Sequence, residues 1–236
     1  MWLLFIGSFF IVNNVFLAIY CRLARMAEFY ATPNALNRYS WVKRKYISVI
    51  KYFYFHTYSF IYGWMRYCSL IVGIIPSNYV RKCFYKYIFA MKLTKKTVIS
   101  GGCEFRSPWN IQLGNCVIQE KCLLDGRSGI VIGDNVVFGV GVHIWTQEHD
   151  VNDAYFAVNA EHSQSVIIKD YAWICSDSSI LPGVVVEEGA VLASKALATK
   201  KCEAYGVYAG VPAKRISERN RDLKYVLSGK PHWHFY

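Results

Sequence analysis

Residues 168–183, IKDYAWICSDSSILPG, place one aliphatic side chain at every sixth position: Ile168, Ile174 and Ile180. The same phase runs on through Val186, Leu192 and Ala198, and upstream Ile132, Phe138 and Ile144 form a matching series. An α-helix repeats at about 3.6 residues and an ordinary strand at about 2, so neither accounts for a period of six. Six-residue pieces separated by Gly-Asp-Asn-like turns predict a mainly β fold, a parallel β-helix. Each short strand makes one face of a triangular coil, and the in-phase residue points into the prism. Residues 132–149 then make one coil and 168–203 two more, with further coils from about 97 to 131 beneath them. Leu113-Gly114-Asn115-Cys116-Val117-Ile118 keeps the pattern, with a one-residue slip near Gly129. Between Ile144 and Ile168 the pattern fails amid charges and histidines. Residues 145–166 are therefore expected to leave the prism as an excursion loop, the kind of irregular segment on a rigid scaffold that carries function.

Before residue 97 the texture differs. Residues 1–96 hold 14 Lys or Arg and one acid, Glu28, a net +13, while residues 97–236 hold 13 Lys or Arg and 15 acids, a net −2. The first part also carries 25 of the 39 aromatic residues. The whole chain of 236 residues is 54% hydrophobic and only 18% charged, against the roughly 25% usual for soluble domains. That excludes a disordered chain or a small disulfide scaffold and points to an apolar partner beyond the chain's own core.

Trp2 to Tyr20 carries no charge and is followed by Arg22 and Arg25. The run is just long enough to span a bilayer, which needs roughly 20 residues, although Asn13 and Asn14 sit near its middle. If it spans, the two arginines keep the remainder of the chain in the cytoplasm. A cleaved signal peptide fits less well, since no Lys or Arg precedes the apolar run. The Tyr- and Trp-rich pieces after it, flanked by Lys43-Arg44-Lys45 and Arg66, suit a lipid headgroup interface. Three regions are expected: 1–96, basic, aromatic-rich, helical and membrane-associating; 97–216, the β-helix; and 217–236, a C-terminal tail. The alternative for the first is a helical cap packed on the prism or on another subunit. No nucleic-acid-binding pattern accompanies the basic residues, and no nucleic acid is expected as partner. The eight cysteines form no CxxC pair or zinc-type spacing, so reduced thiols and no metal are expected.

Residues 168–183, Tyr208 to Ile216 (YAGVPAKRI) and Thr146-Gln147-Glu148-His149-Asp150 together resemble the hexapeptide-repeat acyltransferases. Within them the chain is most similar to galactoside and maltose acetyltransferases. Through Phe105-Arg106-Ser107-Pro108-Trp109-Asn110 and Leu124-Asp125-Gly126-Arg127 it also resembles the acetyltransferases of colanic-acid and other exopolysaccharide pathways. The likeness covers residues 97 to about 220. It implies a left-handed β-helix, one of the few exceptions to right-handed crossovers, assembled as a homotrimer with acetyl-CoA between neighbouring prisms. Lys169, Cys175, Lys195 and Lys201 stand where the family usually has Gly, Gly, Gly and Asp.

Acetyl transfer to an alcohol needs a base for the hydroxyl proton, donors for a tetrahedral oxyanion and a pocket that orders both substrates. His149 matches the family's catalytic His, and Glu148 and Asp150 are both open as its orienting acid. His143 and His162 are expected in solvent-facing or structural positions. By the resemblance, Lys200, Lys214 and Arg215 hold the phosphates of CoA, Trp173 and Ser176 line the acyl and pantetheine channel, and Ser194 and Thr199 lie further along it. The alternatives are a solvated basic edge and, for Trp173, packing between coils. Asp125 and Arg127 resemble the sugar-binding edge, with a simple turn ion pair as the alternative, and Trp145 is a candidate to stack on a pyranose. No Cys-His pair or GxSxG elbow supports a covalent acyl-enzyme.

The expected protein is an acetyl-CoA-dependent O-acetyltransferase of a sugar hydroxyl, free or lipid-linked, on a surface polysaccharide or lipopolysaccharide precursor. It works at the cytoplasmic side of the bacterial inner membrane, peripheral or single-span, meeting membrane lipid through residues 1–96. The alternatives are an N-acetyltransferase of an amino sugar or nucleotide sugar, and a non-catalytic trimeric scaffold.

Overall fold

The computed structural model describes residues 2–30, 49–152, 154 and 163–231. From Lys92 the chain winds through three sheets that form the faces of a prism of parallel coils. The first face stacks β1 (Lys92–Leu93), β4 (Ile111–Leu113), β7 (Ile130–Ile132), β10 (Val166–Ile168) and β13 (Val185–Val186). The second stacks β2 (Val98–Ile99), β5 (Val117–Ile118), β8 (Val137–Phe138), β11 (Trp173–Ile174), β14 (Val191–Leu192) and β16 (Gly206–Ala209), and ends in the antiparallel β17 (Lys214–Glu218). The third stacks β3 (Glu104–Arg106), β6 (Leu123–Asp125), β9 (His143–Ile144), β12 (Ser179–Ile180) and β15 (Leu197–Ala198).

The register explains the period. Ile132, Ile168 and Val186 stack on one face, Phe138, Ile174 and Leu192 on the next, and Ile144, Ile180 and Ala198 on the third. All nine are buried. Burying one such aliphatic or aromatic side chain is worth about 1.5–3 kcal/mol, so the axial column is the main source of cohesion between coils. The slip near Gly129 has a physical origin. Two 3₁₀ turns, Pro108–Asn110 and Gly126–Ser128, add residues at the same corner of successive lower coils and pack on each other.

The turns are held by aspartates. Asp170 Oδ1 accepts the Asp134 amide at 2.7 Å, and Asp134 Oδ1 accepts the Asn115 amide at 2.7 Å. Gly133 leaves the room this ladder needs, because a Cβ there would collide with Asp170 Oδ1 and come within 3.0 Å of its backbone nitrogen. The unusual lysines are accommodated. Lys169 and Lys201 both pair with Glu187, at 2.6 and 3.2 Å, and Lys195 takes the left-handed conformation, φ 58°, that glycine adopts freely.

The helices close the lower end. After α1 (Trp2–Tyr30) and α2 (Val49–Gly73), the short α3 (Asn78–Cys83) runs into a π-helical turn, Phe84–Ile88. Asn78 Oδ1 accepts the Ile99 amide at 2.9 Å, and the buried Arg81 guanidinium donates to the Ile99 carbonyl at 2.7 Å, so α3 satisfies the open edge of β2. Arg25 donates to the carbonyls of Trp109, at 2.9 Å, and Ala90, and Arg22 to that of Tyr87 at 3.1 Å. Leu17, Cys21, Met65 and Tyr85 share one core with the lowest coils, and Trp109 sits edge-on between Tyr20 and Tyr62, at 5.8 and 6.3 Å. The coil thus begins at β1, ahead of residue 97, and the helices are a cap on it.

The same helix has a second side. Val12, Phe16, Ile19, Leu23 and Met26 form an exposed apolar stripe along α1, and Gly7–Met26 is long and apolar enough to cross a membrane. Asn13 accepts the Trp64 indole N–H at 2.9 Å and the Asn14 amide donates to the Phe10 carbonyl at 2.9 Å, so the polar pair is satisfied within the cap. Beyond β17 the chain folds back along a corner of the prism. The Arg219 guanidinium donates to the Tyr171 carbonyl at 2.7 Å, the Tyr225 hydroxyl to the Asn135 carbonyl at 3.2 Å, and the Leu227 amide to Asn135 Oδ1 at 3.0 Å.

Candidate active site

The corner after the third face gathers the candidate acceptor residues. Stacked upward, it carries the two 3₁₀ turns, then Trp145 to His149 after β9, Leu181 to Gly183 after β12, and Thr199 to Lys201 after β15. Asp125 ends β6 with its side chain wholly buried, and Arg127 closes on it, Nε to Oδ1 at 2.9 Å and Nη2 to Oδ2 at 2.5 Å. Burial alone would lower the Arg127 pKa, but the Asp125 carboxylate outweighs it and raises the value further. Arg127 keeps 34% of its side chain exposed. Asp125, expected at the sugar-binding edge, lies behind its partner, so the exposed member of the pair is Arg127.

Thr146 is the hub of the corner. Fully buried, it donates its hydroxyl proton to the Asp125 carbonyl at 2.6 Å and accepts the Ser128 amide at 2.9 Å. It ties the start of the excursion to the coil below. Three residues on, His149 is exposed, and Asp150 accepts the Asn152 amide at 2.9 Å in a local turn. Trp145 is half-buried, with the Arg106 guanidinium 5.2 Å from its ring centre and the His143 ring edge-on at 6.2 Å. The returning limb of the excursion lies on the same corner, where the Gly183 amide donates to the Gln164 carbonyl at 3.3 Å. His162 lies outside the described residues.

Helix α2 reaches this corner from below, which nothing in the sequence announced. Arg66 and Arg106, the latter at 2.9 Å, both pair with Glu104. Burial pushes the Glu104 carboxyl up, but the two guanidiniums outweigh that and hold it below the usual carboxylate range. The Tyr62 hydroxyl is 3.3 Å from the Ser107 hydroxyl, and burial pushes its phenol up. Sequence reasoning missed Tyr62, Arg66, Glu104 and Thr146 as site residues. Arg106 and Thr146 at least fall within the motifs that carry the family resemblance.

The proposed CoA residues are spread over several edges. Trp173, 46% exposed, points out from β11 on the second face. Ser176 and Ser194 stack one above the other at the corner before the third face, where Ser176 Oγ accepts the Val140 amide at 3.2 Å and its carbonyl the Lys195 amide at 3.0 Å. Thr199 and Lys200 are exposed at the acceptor corner, and Lys214 and Arg215 are exposed on β17, with Arg215 paired to Glu218 at 2.8 Å. The third face therefore has Arg127, Trp145, Thr199 and Lys200 along one edge and the two serines along the other. Among the described residues no group of three or more His, Cys, Asp or Glu could hold a metal ion.

No protein-family model matches the chain. It is 28% identical over 139 residues to the colanic acid biosynthesis acetyltransferase WcaF of Escherichia coli strain K12, covering 58% of this chain and 75% of that protein. It is 31% identical over 154 residues to a dTDP-4-amino-4,6-dideoxy-D-glucose acyltransferase of Escherichia coli, covering 53% of this chain and 80% of that one. Its fold matches that of a hexapeptide-repeat-containing acetyltransferase from Vibrio cholerae O1 biovar eltor, solved with acetyl coenzyme A. The TM-score is 0.58 at 18% identity, over 64% of this chain and 83% of the other.

Proposed function

The chain belongs to the hexapeptide-repeat acetyltransferase family, and from that membership we propose that it moves an acetyl group from acetyl-CoA to a sugar hydroxyl of a surface polysaccharide or lipopolysaccharide precursor. The observation that carries the acceptor side is the corner itself. The excursion bearing His149 leaves the coil just above the turn that exposes Arg127, to which Thr146 ties it, Trp145 at its start lies against Arg106, and α2 of the apolar-faced cap touches Ser107 in the turn below. A membrane-bound, lipid-linked sugar presents its hydroxyls just above the headgroups, and a cap with an exposed apolar stripe holds the corner near that level.

In the transfer, the imidazole of His149 takes the hydroxyl proton as the sugar oxygen attacks the thioester carbonyl. The tetrahedral intermediate collapses with loss of the CoA thiolate, which receives the proton from the imidazolium. General-base help of this kind is worth about 10²–10⁴ in rate. The exposed cations Lys200 and Lys214 fit the phosphates of CoA, and Trp173, Ser176, Ser194 and Thr199 its pantetheine arm. Because Thr199 and Lys200 share the corner of the acceptor residues while Trp173, Ser176, Ser194 and Lys214 lie elsewhere on the prism, a neighbouring prism in a homotrimer supplies the opposing wall.

A second reading, N-acetylation of an amino sugar, is favoured by the name of the Escherichia coli acyltransferase relative. Mass spectrometry of surface glycan and lipid-linked precursors from a strain lacking the protein, with and without rescue, separates the two. Alkali-labile acetyl groups restored by rescue mark esters, alkali-stable ones mark amides, and no change in either class counts against both.

A further inference from the structure

Between α1 and the π-helical turn runs a groove of about 420 Å³, a volume within the roughly 300–1,000 Å³ of small-molecule sites. Phe10, Ile11, Val15 and Ala18 form one wall, and Phe84 and Tyr87 belong to the other. The polar lining side chain of α1, Asn14, has its amide donated to the Phe10 carbonyl of its own helix. The groove follows α1 for about 12 Å at the helical rise of about 1.5 Å per residue. Cations gather where it ends. Arg22, one turn beyond Ala18, donates to the Tyr87 carbonyl at 3.1 Å, and the Lys86 ammonium lies 5.4 Å from the Tyr87 ring centre.

We propose that this groove seats the hydrocarbon tail of a phosphate-bearing membrane lipid, with Arg22 and Lys86 meeting the phosphate. A peptide occupant would need partners for its backbone N–H and C=O groups, and these walls offer almost none; a hydrocarbon chain asks for none. The charge agrees, because residues 1–96 carry a net +13 and the groove's cationic end suits an anionic head. The groove also borders the exposed stripe of Val12, Phe16 and Ile19, so a lipid enters it sideways from a bilayer covering that stripe. The biological sense of this site rests on the membrane-side acetyltransferase reading, whereas its occupancy is read without any transfer reaction.

The probe is dodecyl phosphate below its micelle concentration, titrated calorimetrically into the delipidated full-length protein. Saturable one-to-one binding is expected. Ala18→Trp, which fills the trough, should weaken it at least about tenfold, while Val12→Trp on the outer stripe leaves it unchanged. Lys86→Gln should weaken dodecyl phosphate but not dodecyl maltoside, and inorganic phosphate alone should not bind saturably. Circular dichroism checks that Ala18→Trp is folded, and Val15→Trp replaces it if it is not. Wild-type affinity in the filled variants, equal effects of Val12→Trp and Ala18→Trp, or tight binding of inorganic phosphate alone would each overturn the proposal. Acetylation of a water-soluble acceptor by the same preparations keeps the two ideas apart. Binding without transfer sinks the enzymatic reading and leaves the groove, and transfer without binding does the reverse.

Discussion

Thr146→Val removes a hydroxyl while nearly keeping its volume. The wild-type hydroxyl donates to the Asp125 carbonyl at 2.6 Å and accepts the Ser128 amide at 2.9 Å, in a side chain with no exposed surface. Valine satisfies neither. Each stranded buried group costs about 1–3 kcal/mol, so the pair is worth roughly 2–4 kcal/mol after partial relaxation. For a chain of this length about 2–4 °C of melting temperature accompanies each kcal/mol, which gives a fall of roughly 5–15 °C. Thr146→Ser, which restores the hydroxyl, should recover most of it. The functional effect separates from the stability effect. The residue fixes the exit of the segment carrying His149; it lies on another corner from Ser176 and Ser194, and two coils below Thr199 and Lys200, so below the melting temperature kcat should fall more than the KM for acetyl-CoA rises. Calorimetry and steady-state kinetics on the three proteins measure both. A valine variant within about 2 °C of wild type and of equal kcat would refute the reasoning that this hydroxyl holds the corner.

Trp109→Ala removes a fully buried indole that Tyr20 and Tyr62 meet edge-on; a loss of about 3–5 kcal/mol is expected, with faster amide exchange across α1 and α2. Gly133→Ala should cost about 1–3 kcal/mol by overpacking the Asp170 ladder, whereas Gly63→Ala on the open face of α2 should cost nothing measurable by thermal unfolding. Glu104 is held below its ordinary pKa, so its contribution is complete above the unfolded value of about 4.3 and is lost as pH falls through the lower folded value. Compared by acid unfolding, Glu104→Gln should therefore be less stable than wild type at neutral pH, with the difference closing in that acid window.

The coils were legible because their geometry demands one inward residue per strand, and the demand repeats at every face. The column from Ile132 to Ala198 is that rule written nine times. The corner insertions were half legible: the slip at Gly129 showed that something was added, while its partner at Pro108–Asn110 was hidden in a motif read for its resemblance. The contribution of α2 was not legible. Arg66 meets Glu104 and Tyr62 meets Ser107 across dozens of residues, through packing that no periodicity encodes. Asp125 illustrates another limit, because a turn carboxylate next to a guanidinium reads alike whether it faces solvent or is sealed behind its partner. Along α1 the Leu17 and Cys21 side caps the prism while the Ile19 and Leu23 side is exposed, an arrangement that a run of uncharged residues does not distinguish in sequence.

The central claim is that His149 on this corner drives acetyl transfer from acetyl-CoA to a sugar. It is tested most directly by mixing the purified full-length protein with acetyl-CoA and a sugar acceptor, then following thiol release together with the mass of the product. Wild type should release one thiol per acetylated sugar, and His149→Ala, equally folded and equally able to bind acetyl-CoA, should be slower by about 10²–10⁴. A His149→Ala variant that acetylates the same acceptor at the wild-type rate would contradict it.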